Sequence, residues 1–344
     1  MKPCHATLAV LVGLFVLRPC FSEELQPIAN VAFGSQIVAA EDVSAIAAID
    51  DFLLIASDEA VGENENENYV QVLRRTGENQ YDVDHDILVL KGNKEDGKEM
   101  DIEGIAVSGH DIYVIGSHSR RRKNVKSDEK YKSNLKTFSD DEIRDEKSRY
   151  SLFRLTVDAN AQKTNQKQIS LRDIIKNDPV LKTFDQIPSK ENGIDIEGIA
   201  VKDDWLYVGF RGPVFRANFV PVMKLKFDNP KDTYELLFVD LGGRGIRDIT
   251  SVSGGFLILA GPVGDGPGSY QLCFWDGNDM IPGSNRHAED VGHVSLLGEI
   301  TPPENGKAEG IVLLSPPQDT TYDLVIVYDG VQNGRAQRFR VPRR

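Results

Sequence analysis

The heptapeptide DIEGIAV stands at residues 101–107 and again at 195–201 of this 344-residue chain. A repeat of this kind constrains architecture first, because each copy marks one supersecondary unit that must stack on its neighbours to bury its apolar face. With Asp101 and Asp195 in one column, weaker copies fall into register at Asp42 (DVSAIAA), Asp248 (DITSVSG) and Lys307 (KAEGIVL). The steps between copies approach the length of a four-stranded propeller blade, about 40–50 residues. One long step holds a charged insertion between Ser119 and Ser148.

Every copy is followed by a turn and a second apolar run: DFLLIAS, DIYVIGS, DWLYVGF, GFLILAG and YDLVIVY. Further short alternating runs, bounded by Gly, Asp, Asn and Pro, read as strands, and few segments carry helical periodicity. The expectation is an all-β chain, a five-bladed β-propeller occupying residues 30–344 as one domain. Its last blade is one strand short. The segment 34–40 (GSQIVAA) is expected to supply that strand and close the ring by pairing the two chain ends, which removes an open sheet edge. A six-bladed count, with a degenerate blade in 149–190, is the competing reading, and an irregular β-sandwich is a more remote one.

The first 22 residues do not belong to this pattern. Lys2, an apolar run from Ala6 to Leu17, and small residues at Cys20 and Ser22 make a signal-peptide layout with cleavage after Ser22. Lipidation of Cys20 fits less well, because Arg18 and Pro19 occupy positions where small residues belong. No stretch is apolar for long enough to span a bilayer. The expected location is exported, periplasmic or extracellular. Cys4 and Cys20 lie in the leader, so Cys273 is the only thiol of the processed chain, which leaves no pair for an internal disulfide. The net charge is −13, and the leader holds Lys2 and Arg18 but no acid, so the processed chain is more acidic still. That balance argues against nucleic acid as a partner.

In a propeller the first strand of each blade lines the central channel, so the repeat gathers Asp101, Glu103, Asp195, Glu197 and Glu309 around one axis, with Asp42 and Asp248 from the weaker copies. Gly104, Gly198 and Gly310 permit close packing where the strand begins. Converging carboxylates repel unless a cation or a basic side chain compensates, and hard oxygen donors suit Ca²⁺. The competing reading makes each acid a brace for backbone N–H groups. Sixteen residues after Asp42, Asp101 and Asp195 come Asp58, Ser117 and Arg211, and VYDG occupies the same place in the fifth copy. His118, Arg211 and Arg247 are thereby expected beside the acids, with arginine suited to clamp a carboxylate or phosphate. The insertion SRRRKNVKSDEKYKSNLK, basic early and acidic later, is a solvated loop or a flap over the mouth.

The leader, the paired DIEGIAV motifs, GSHS and GFRGPV together resemble the bacterial exported family named domain of unknown function 3616, over most of the processed chain. The Asp-x-Glu-Gly element is also similar to those of esterase-like phytase and SdiA-regulated propellers, a resemblance that implies an acidic, Ca²⁺-binding channel mouth. Two functions follow. One is a Ca²⁺-dependent hydrolase of phosphoesters or related esters, with the five acids holding the ion and His118, Arg211 and Arg247 positioning the substrate. The other is a non-catalytic propeller whose mouth grips a small anionic, cationic or polar ligand, or a protein loop. No nucleophile elbow, phosphate loop or zinc-protease motif is present.

Overall fold

The computed structural model describes residues 23–34, 36–264, 266–314 and 320–343. The expected leader, with Cys4 and Cys20, lies outside the described residues. A short N-terminal stretch carries β1 (Ala29–Asn30) and β2 (Ala32–Phe33). The first blade is β3 (Val43–Ile49), β4 (Phe52–Ser57), β5 (Glu67–Gly77) and β6 (Gln80–Lys91). The second is β7 (Ile102–Ser108), β8 (Asp111–Gly116), β9 (Leu152–Val157) and β10 (Lys163–Ile169). The insertion, carrying the one-turn helix α1 (Tyr131–Lys136), separates β8 from β9, and α2 (Arg172–Asn177) follows β10. The third blade is β11 (Asp195–Lys202), β12 (Trp205–Gly212), β13 (Phe219–Leu225) and β14 (Glu235–Asp240). The fourth is β15 (Gly245–Val252), β16 (Gly255–Gly261), β17 (Tyr270–Trp275) and β18 (Val294–Ile300). The fifth is β19 (Lys307–Leu313), β20 (Thr321–Asp329) and β21 (Gln337–Pro342).

Each blade is an antiparallel meander, and β3, β7, β11, β15 and β19 pack on one another in a closed circuit, so the architecture is the five-bladed propeller. The stretch 149–190 finishes the second blade with β9 and β10 and then forms α2, so it holds no sixth blade. The core lies between blades. Ile249 and Phe256 of the fourth blade share one apolar cluster with Ile199 and Val208 of the third, for example. The cause is the alternation read from the sequence: one face of each sheet meets the opposite face of the next.

Ring closure differs from the expectation. Residues 34–40 form no strand among the described residues; they turn, with Val38 N–H donating to the Gln71 side chain at 2.9 Å. The missing fourth strand of the last blade is β1, which pairs antiparallel with β21 through Ala29–Arg338 and Asn30–Gln337. The physical reason is reach. Phe33 already pairs in parallel with Tyr81 of the first blade, so everything after it is committed to that blade. Upstream, Leu25 N–H donates to Glu299 O of the fourth blade at 2.8 Å, so residues 23–33 run as a strap along three blades.

Candidate functional site at the channel mouth

All five inner strands carry the same irregularity. The register between first and second strand slips at Val43/Ala45, Ile102/Gly104, Ile196/Gly198, Ile246/Asp248 and Ala308/Gly310. The extra residue of each bulge is Ser44, Glu103, Glu197, Arg247 or Glu309. A β-bulge re-aims the side chain it inserts, so the duplicated motif is a bulge that places its third residue in a ring of five. In the second, third and fifth blades the residue after the bulge is glycine, where the next blade leaves little room. A Cβ on Gly198 would sit 2.9 Å from the Asp248 Cα of the next blade.

This register corrects the fourth copy. Aligned by its bulge, GIRDITSV lies under DIEGIAVS, so Arg247 occupies the glutamate column and Asp248 the glycine column. Asp248 is not part of the acid ring. Its carboxylate accepts from the N–H of Ile249 and, across the blade gap, from that of Ile311, each at 2.7 Å. It is a brace between blades, and burial pushes its carboxyl well up.

Arginines compensate the converging acids. Arg247, 2 % exposed, contacts Glu197 at 2.7 Å and also pairs with Glu309. Arg211 contacts Glu197 at 2.6 Å and pairs with Asp195. Arg149, from the end of the insertion, gathers Asp101, Glu99 and Glu146. The terminal nitrogens of Arg211 and Arg247 therefore point at the ring's own carboxylates. Burial drives the Asp195 carboxyl up to about 7 against the opposing Arg211 charge, and Glu99 up to about 8 through burial and the neighbouring Asp101.

Glu103 stands apart. It has no ion-pair or hydrogen-bond partner among the described residues, and it faces Asp101, Glu197, Asp58 and Asp195; enclosure and these like charges raise its carboxyl well above the usual glutamate range. Of the five acids expected to hold Ca²⁺, Asp101, Asp195, Glu197 and Glu309 are taken by guanidinium groups and only Glu103 is not. That set does not fit an open oxygen shell for an ion.

His118 does not join the group. It is fully buried, with Nδ1–H donating to Gly116 O at 2.9 Å and Nε2 accepting from Leu171 N–H at 3.2 Å. Burial takes its pKa down to about 4, so the ring is neutral and ties the start of the insertion to α2.

Above the ring lies a cavity of about 490 Å³ whose floor includes Asp101, Glu103, Asp195, Glu197 and Arg211. The insertion forms its outer wall with Arg121, Arg122, Lys123, Phe138 and Arg144, so the flap expectation is met in placement. The wall is anchored: Arg122 Nε reaches Glu191 at 2.6 Å and Arg121 Nε reaches Glu146 at 2.9 Å. An acidic floor thus sits beneath a basic rim. Sequence reasoning missed Arg149 and Glu99, whose only signal was an arginine at the end of the insertion and a glutamate two residues before Asp101.

A five-bladed propeller with an arginine-laced acidic mouth is the class these features define. The family model for "Protein of unknown function (DUF3616)" matches residues 42–341, and the chain belongs to that family. No curated protein matches it. Solved structures similar to it include the major allergen Mala s 1 of Malassezia sympodialis, at 10 % identity and TM-score 0.40 with 92 % of each chain covered. A hypothetical protein from Leishmania major is similar at 13 % identity and TM-score 0.42, covering 93 % of this chain and 89 % of that one. YCF48 bound to D1 peptide is similar at 12 % identity and TM-score 0.32, covering 90 % and 69 %.

Proposed function

We propose that the channel mouth is a binding site for a small polar ligand, with Glu103 as its anchor. The observation that carries this reading is the asymmetry of the bulge ring: Glu197 and Glu309 are paired with Arg247, whereas Glu103 lines the cavity with no ion pair among the described residues. A ligand ammonium, guanidinium or hydroxyl group supplies the missing partner, and an anionic part of the same ligand meets Lys123 and Arg144 on the wall. The bound acids and arginines hold this floor rigid, which is the preorganisation a selective site needs. Export, expected from the leader, is part of the proposal.

One observation favours hydrolysis as a second reading. The Glu103 carboxyl is raised by burial and by the neighbouring acids, the direction in which a general acid for a phosphoester or ester leaving group is tuned. Because the acids expected to bind Ca²⁺ are occupied by arginine, no step is routed through an ion there. The test is a thermal-shift screen of amino acids, amines, sugars and phosphorylated metabolites on the wild type and Glu103→Gln, paired with a phosphatase and esterase panel. Stabilisation of the wild type but not of Glu103→Gln supports binding. Turnover that falls with Glu103→Gln supports hydrolysis. A ligand bound equally by both proteins overturns the anchor role.

A further inference from the structure

Where a blade's second strand ends beside the start of its first, the third and fifth blades pair opposite charges: Asp195 with Arg211, and Lys307 with Asp329, the latter at 2.6 Å. The second blade has Asp101 and Ser117 there and the fourth has Gly245 and Gly261, whereas the first sets two acids together. Its two residues in those columns are Asp42 and Asp58, both acids, and the neighbouring last blade adds Asp329. One carboxylate oxygen from each of the three lies within 4.8 Å of the others. A cross-seam bond from Gly330 N–H to Glu41 O, at 2.7 Å, and one from Asp58 N–H to Asp42 O, at 3.2 Å, bring them together. The Oδ1 of Asp58 is buried and meets no hydrogen-bond donor among the described residues.

We propose that Asp42, Asp58 and Asp329 bind a divalent cation, of the hard oxygen-seeking kind typified by Ca²⁺, across the seam between the first and last blades. The ion takes the place that a basic side chain fills in the third and fifth blades, and supplies the partner that the Asp58 Oδ1 lacks. Its size is right: two oxygens on opposite sides of one Ca²⁺ lie about 4.8 Å apart, twice the metal–oxygen distance. Its charge is right as well. Lys307 is the cation set against the three carboxylates, while Glu59, Glu41 and Asp101 add to their negative field, so a doubly charged ion is favoured over a singly charged one. This site opens on the same cavity as Glu103, which faces Asp58, but its three ligands are other residues and its binding does not require Glu103.

The test is calorimetric titration of chelator-stripped full chain with CaCl₂, then with MgCl₂, accompanied by thermal melts. One equivalent of Ca²⁺ should bind, and about a hundredfold excess over Kd should raise Tm by about 4 °C for a chain of this size. Asp58→Asn should abolish both effects, Asp42→Asn should weaken binding at least tenfold, and Glu103→Gln should keep the Tm rise. Absence of binding by either ion in the wild type overturns the proposal, as does undiminished binding in Asp58→Asn or Asp42→Asn. Should Asp58→Asn fail to fold, the wild-type stoichiometry and Asp42→Asn decide. A Ca²⁺ response together with a silent ligand screen separates this site's success from failure of the ligand reading.

Discussion

The two identical heptapeptides should respond to the same substitution with opposite sign. Glu197→Gln removes a carboxylate that contacts Arg211 at 2.6 Å and Arg247 at 2.7 Å. Breaking a buried pair costs about 3–5 kcal/mol, and each guanidinium keeps a second carboxylate here, so the expected loss is near the lower end, about 3 kcal/mol. At about 1.5 °C per kcal/mol for a chain of this length, Tm should fall by about 4–5 °C. Glu103→Gln removes a carboxylate that no guanidinium contacts, although the charges of Arg149 and Arg211 reach it. In the unfolded chain Glu103 ionises from its ordinary value of 4.5, whereas in the fold it holds its proton to higher pH. Between those two values the folded state binds the extra proton, so wild-type stability falls as pH rises. At pH 7 Gln relieves that penalty. The Glu103→Gln advantage should therefore vanish below about pH 4.5 and grow above it. Urea melts of wild type and both variants near pH 4, 6 and 7.5 read this directly. Parallel destabilisation of both variants at neutral pH, with no divergence as pH rises, would refute the claim that arginine placement makes the copies unequal.

His118, whose pKa falls from 6.5 to about 4, takes up a proton in the unfolded chain before it does so in the fold. Its contribution is thus complete above about pH 6.5 and shrinks by about 3 kcal/mol as pH drops towards 4. The stability gap between wild type and His118→Gln should narrow across that window, and a gap independent of pH contradicts the buried neutral ring. Cys273 is 3 % exposed and its thiol is pushed up to about 12 by burial, so peptide mapping after alkylation at pH 8 should find it unmodified in the native protein and modified in urea. Native-state labelling would contradict its placement.

The blade count was legible because the motif marks the start of every inner strand and the alternation after it marks the second. The fourth copy was placed three residues late, since it lacks the Glu-Gly pair that anchored the others. The usable signal was the isoleucine spacing: Ile102 and Ile105, Ile196 and Ile199, Ile246 and Ile249 flank the bulge alike. Read that way, Arg247 falls into the acid column from sequence alone. Closure was right in kind and misplaced in position, because IVAA is a short apolar run like a strand whereas the true closing strand is two residues long, too short to carry a period. The compensation of the acids was only partly legible. Arg211 and Arg247 lie beside their motifs, but Arg149 is 48 residues from Asp101 and reaches it only because the insertion folds back. GSHS looked chemical and is structural, for its imidazole is spent on two backbone groups that no local pattern reveals.

The strap of residues 23–33 sets an order of assembly. It fastens first-made residues to last-made ones: Glu24 accepts a hydrogen bond from Thr301, 277 residues away. Loop closure over that distance, compared with one blade length, adds only about 1.6 kcal/mol, because the cost grows with the logarithm of length. Three short pairings on three different blades repay it piecemeal. The circle therefore behaves as a belt with a buckle: the strap can come undone one blade at a time while every sheet stays intact. Amide exchange at Leu25, Ile28 and Val31, whose N–H groups hold the buckle, marks the lowest-energy route by which this ring opens.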